Sequence, residues 1–71
     1  MWFKKEIRSG VNYSSVDSIV TELANKYKTS VVLKPKFMDK RSKYKIIVQV
    51  YLPIPAYVIT VQEDFANEQS E

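Results

Sequence analysis

Val16, Ile19, Val20, Leu23, Ala24 and Tyr27 are spaced 0, 3, 4, 7, 8 and 11 along the chain. A period of 3.6 puts all six on one stripe, so the spacing predicts an amphipathic α-helix with a single apolar side. No other segment repeats with that period. The remaining apolar runs alternate with period two or are β-branched throughout, the pattern of strands. A lone helix among several strands is a strong constraint. It can shield one face of a sheet, and the other face has no covering layer.

The helix is expected from about Ser15 to Lys28. Ser14 is a suitable N-cap and Asp17, three residues on, a capping partner. Asp17 and Glu22 toward the start, with Lys26 and Lys28 toward the end, suit the helix dipole. Before it, Trp2–Arg8 alternates as a short strand, and Gly10, the only glycine, is the expected turn. After it, Val31–Phe37 alternates but contains Pro35, which cannot donate to a ladder and so implies an edge or a bulge. Tyr44–Leu52 is apolar on both faces and is expected in the sheet centre. Pro53-Ile54-Pro55 forces a turn, and Ala56–Glu63 is a last strand.

The predicted fold is therefore α+β in the order β-α-β-β-β, a single small domain with one helix packed on one face of a four-stranded, mostly antiparallel sheet. The first two strands should run parallel if they are neighbours. The last three should form an antiparallel meander, with a hairpin joining Val31–Phe37 to Tyr44–Leu52. Residues 1–63 make the domain, and 64–71 are expected as a flexible acidic tail. Facing the helix stripe, alternation places Phe3, Ile7, Val31, Leu33, Phe37, Tyr44, Ile46, Val48, Val50, Leu52, Tyr57, Ile59 and Val61. The bare face should carry Trp2, Lys4, Val32, Lys34, Lys36, Lys43, Lys45, Ile47, Gln49, Tyr51, Val58 and Thr60.

Composition narrows the chemistry. At 71 residues the chain buries only about 60% of the surface its unfolded form exposes, so stability is marginal and self-association is a natural support. There is no Cys and no His, which removes disulfides, thiolate zinc sites and the commonest general base. No metal or cofactor motif is present. Ser14, Ser15 and Ser18 lack any activating base, and Asp17, Glu22, Asp39 and Glu63 form no spaced pair, so no catalytic activity and no small-molecule substrate are expected. The one long uncharged stretch, residues 46–62, is short for a membrane span and broken by Pro53 and Pro55. Charges at Lys4, Lys5 and Glu6 stand where a signal peptide would be apolar. A cytoplasmic location away from membranes is expected.

Charge is distributed unevenly. Residues 1–45 hold all eleven Lys and Arg against Glu6, Asp17, Glu22 and Asp39, a net +7. Residues 46–71 hold Glu63, Asp64, Glu68 and Glu71 and no cation, a net −4. Six cations, Lys34, Lys36, Lys40, Arg41, Lys43 and Lys45, lie within twelve residues. Cations clustered on a hairpin, with Trp2 and Tyr51 on the same bare face, predict nucleic-acid binding: lysines for phosphates, aromatic rings for unpaired bases. The competing reading is that edge lysines keep a small sheet from aggregating. A second expectation uses the apolar members of the face, Val32, Ile47, Tyr51 and Val58, as an interface for a homodimer or for another protein, the chain acting as adaptor or inhibitor. Size, lysine content and a single glycine would also suit a small accessory protein of a phage or mobile element.

Overall fold

The computed structural model describes residues 1–65. Its elements are β1 (Trp2–Asn12), α1 (Tyr13–Tyr27), β2 (Val32–Leu33), β3 (Lys43–Tyr51) and β4 (Ala56–Glu63). They form the expected α+β domain, one helix on one face of a four-stranded mixed sheet. The sheet order is β1-β3-β4-β2. β3 is antiparallel to both β1 and β4, and β2 is parallel to β4.

This order corrects the expected meander. β2 and β3 are not neighbours, because β4 lies between them, and the predicted basic hairpin does not form. The cause is competition for the two edges of β3. The eleven residues of β1 and the eight of β4 offer β3 long ladders, whereas Pro35 ends β2 after two residues. β2 is left on the outer edge of β4, so β1 and β2 run in the same direction at opposite edges of the sheet. Residues 34–42 become a connection that passes the C-terminal end of β4.

β1 is longer than alternation suggested and contains two register shifts, between Lys4 and Glu6 and between Arg8 and Val11. Each inserts extra residue and reverses the parity that follows. Gly10 is part of the second irregularity rather than a turn. Its φ of 62° lies in the left-handed region that only glycine enters freely. Its N–H donates to Asp64 Oδ2 at 2.9 Å, and the Asp64 N–H donates to the Lys43 carbonyl at 2.9 Å. Asp64 is buried, so the ordered fold extends beyond Glu63. Residues 66–71, the rest of the expected tail, lie outside the described residues.

The helix begins at Tyr13, with Asn12 at the N-cap making no side-chain capping bond. Asp17 therefore lies beyond the first turn. The helix closes with Lys28 in the left-handed region and the Thr29 N–H donating to the Ala24 carbonyl at 3.0 Å, a Schellman-type end. The core joins Val16, Val20 and Leu23 of α1 to Val11, Tyr44, Ile46, Val48, Ile59 and Val61 of the sheet. Several expected core residues are elsewhere. The first bulge turns Ile7 to the bare face. Val31 and Leu33 also face outward, and Val32, placed outside by alternation, packs against the core instead. Phe37 is 86% exposed on the 34–42 connection, and Leu52 is exposed in the turn after β3.

Candidate nucleic-acid interface

The open face is built by cross-strand pairs of one parity. Trp2 stands opposite Tyr51, Lys4 opposite Gln49, Ile7 opposite Ile47 and Asn12 opposite Lys43. On the other side of β3, Lys45 pairs with Gln62, Ile47 with Thr60 and Gln49 with Val58, and Leu33 of β2 pairs with Thr60. Side chains of paired residues in a sheet share a face. The result is an apolar band from Trp2 and Tyr51 through Ile7, Ile47 and Val58 to Leu33, with lysines beside it.

The six clustered cations do not share this surface. Lys43 and Lys45 project from β3 onto the open face. The Lys43 ammonium donates to the Asn12 side-chain oxygen. Lys34 is on the helix side, its Nζ 2.8 Å from Asp17 Oδ1. Lys36, Lys40 and Arg41 are exposed on the connection at the end of the sheet. Arg41 is turned back on Asp39: its N–H donates to Oδ1 at 2.8 Å and its Nε lies 3.5 Å from the same oxygen. Those contacts hold the Asp39 carboxyl below its ordinary pKa, the backbone hydrogen bond being the largest cause. Lys34 and Lys45 thus point to opposite sides of the sheet. Lys4, which lies far from the cluster in sequence, joins Lys43 and Lys45 through its register with Gln49.

The carboxylates are sorted the other way. Glu6 faces α1, where Arg8 grips Oε2 through Nε at 2.9 Å and Nη2 at 2.7 Å. Its Oε1 accepts from Lys26 Nζ at 2.9 Å and from the Tyr27 hydroxyl at 2.7 Å. Arg8 also reaches Glu22 at 3.2 Å. The Tyr27 hydroxyl, then Lys26 and Arg8, lower the Glu6 pKa from 4.5 to about 2. This network ties β1 to the helix and keeps Glu6 and Glu22 away from the open face. Asp17 is on α1, Asp39 on the connection, Glu63 on the helix side and bonded by the Ser42 hydroxyl at 2.7 Å, and Asp64 is buried beneath Gly10. Among the described residues, no exposed carboxylate stands on the open face; Asp64, opposite Lys43, is buried. By register Lys4, Lys43 and Lys45 bring cations to it, and none of the three has an ion pair among the described residues.

Trp2 and Tyr51 are 51% and 40% exposed, with ring centroids 5.1 Å apart and planes at 61°. Edge-to-face contact of this kind fixes both rings without covering them. Of the residues expected as an apolar interface, Ile47, Tyr51 and Val58 are on the open face and Val32 is not. Ile7, Val31 and Leu33 are on it although alternation assigned them to the core. For Ile7 the sequence carried no signal, since nothing in Lys4-Lys5-Glu6 marks the bulge, and for Val31 and Leu33 the signal was three consecutive apolar residues at 31–33 whose parity no turn defines. Among the described residues there is no metal-binding cluster, and no helix is long and apolar enough to cross a membrane. The chain matches no protein-family model, no curated protein and no solved structure.

Proposed function

We propose that the chain is a non-enzymatic, cytoplasmic protein that binds single-stranded nucleic acid across the open face of its sheet. The observation that carries the reading is that Lys4, Lys43 and Lys45 share a face with two exposed, mutually fixed aromatic rings, with no exposed carboxylate on it among the described residues. Lysines neutralise phosphates and aromatic faces stack on unpaired bases, whereas bases inside a duplex offer no free face. Duplex recognition by a basic two-stranded ribbon loses its support with the hairpin. The β3–β4 hairpin is tipped by Pro53, Ile54 and Pro55 and has no cation there to meet a groove.

Salt dependence tests this. Each phosphate neutralised on a single strand contributes about −0.7 to the slope of log K against log salt, so the three lysines should contribute about −2. Affinity for a short single strand should then fall roughly twentyfold over about a fourfold rise in salt. Changing Lys4, Lys43 and Lys45 together to Gln should flatten the slope by that amount. Equal slopes for parent and triple variant would reject the reading.

The apolar band also supports a second reading, capture of another protein as adaptor or inhibitor. Ile7, Val31 and Leu33 are exposed on the same face as Trp2 and Tyr51, a density unusual for a solvated sheet face. A twofold pairing of this face would set lysines against a surface that offers them no exposed carboxylate, so an acidic partner suits it better than a second copy. Light scattering that gave twice the 8.3 kDa chain mass would favour the copy instead.

A further inference from the structure

A hollow of about 340 Å³ opens on the same face, lined by Trp2, Val31, Leu33, Gln49, Val58 and Thr60. Trp2 comes from one edge of the sheet and Val31 and Leu33 from the other, so the indole reaches inward over β3 and β4. The volume is at the small end of ligand cavities, the size for one planar group. The walls are an aromatic ring and aliphatic side chains. The polar groups are an amide, Gln49, and a hydroxyl, Thr60, and neither is engaged by another protein group among the described residues. Together they supply donors and acceptors in one place. No charged side chain lines the hollow, so a phosphate finds no counter-charge inside. Lys4, directly opposite Gln49 in the ladder, stands beside it.

We propose that this hollow is a pocket for one unstacked base of the bound strand. The inference rests on the single-strand reading given above. The base lies against the Trp2 indole, its hydrogen-bonding edge meets Gln49 and Thr60, and Lys4 takes the adjacent phosphate. The open face is then more than a sticky cationic surface: it admits a base at one defined place, and an amide with a hydroxyl gives that place the means to prefer one base over another.

Trp2 is the only tryptophan, so its fluorescence reports the pocket directly. The full chain is titrated with a short oligodeoxythymidylate, an oligodeoxyadenylate and an abasic sugar–phosphate strand of the same length. Base-bearing strands should quench Trp2 and bind about 5- to 150-fold more tightly than the abasic strand, the range for loss of one stacked base. Val58→Phe, which fills the hollow from an outward-facing position and leaves the core untouched, should reduce the affinity for base-bearing strands to that for the abasic one. Thr60→Val should narrow the difference between thymidylate and adenylate. If all three strands bind equally through the lysines without quenching, the base pocket is refuted and the phosphate-binding face survives. If none binds, the single-strand reading fails and the pocket fails with it.

Discussion

Replacing Tyr44 with Phe removes one oxygen from the largest fully buried side chain of the domain. The ring stays, so no cavity is created and the loss belongs to the hydroxyl alone. That hydroxyl accepts from the Asp39 N–H at 2.7 Å and donates to the Asp39 carbonyl at 3.2 Å. It is the peg on which the 34–42 connection hangs, where Asp39 also receives the Ser42 N–H at 3.1 Å. Asp39 is an exposed residue, so its freed N–H can turn to water, and the expected cost is the net value of an ordinary hydrogen bond, about 1 kcal/mol. For a domain of this length, each 1 kcal/mol lowers the melting temperature by about 4–8 °C. A loss of about 1 kcal/mol therefore predicts a fall of about 4–8 °C. Thermal unfolding followed by circular dichroism reads the total, and the urea midpoint should fall with an unchanged m-value. Amide exchange gives the local test: the Asp39 N–H should lose more protection than the core amides of β3. A Tyr44→Phe protein that melts within about 2 °C of the parent and keeps Asp39 protected would show that the connection is held by other means, against the expected scale.

Two further outcomes are expected. The Glu6 pKa, about 2, is below its ordinary 4.5, so the stability it contributes is present in full above 4.5 and is lost as pH falls toward 2. Glu6→Gln should thus destabilise the domain at neutral pH and make its stability less pH-dependent between those values, with Asp39 retaining a smaller dependence of the same sign. Acid titrations of the two proteins that superimpose would remove the network from the account. Leu23 is fully buried at the centre of the helix stripe, and Leu23→Ala should cost about 2–5 kcal/mol. This is a large fraction of the stability of so small a domain, and a variant melting within a few degrees of the parent would contradict the assigned core.

What could be read along the chain was whatever depends on near neighbours. The stripe from Val16 to Tyr27 made the helix legible, although its start moved to Tyr13 because Asn12 rather than Ser14 became the N-cap residue. Alternation in Tyr44–Leu52 identified the central strand, and Ile46, Val48 and Val50 are buried as it required. The same rule failed at Ile7, because a bulge at Lys5 reverses parity and no local feature of Lys4-Lys5-Glu6 announces one. At Val31-Val32-Leu33 the strand was too short for alternation to select a face. The cationic cluster was visible, yet its sharing of one surface was inferred from a hairpin that does not exist. Alternation already set Lys4 on the same face as Lys43 and Lys45, and its register opposite Gln49 puts it there.

Periodicity in the sequence alone determined that there is one helix, that it has one apolar side, and that a β-sheet must therefore keep a bare face. Alternation also assigned Trp2, Lys4, Lys43, Lys45 and Tyr51 to that face, and only the tertiary structure decided that Val32, Lys34 and Lys36 leave it and that Ile7, Val31 and Leu33 join it. Strand neighbours are chosen by competition for the two edges of β3, a contest between segments far apart in the chain. Its outcome sends Lys34 to Asp17, draws Glu6 toward Arg8, Lys26 and Tyr27, and leaves Lys4, Lys43 and Lys45 on one face with Trp2 and Tyr51.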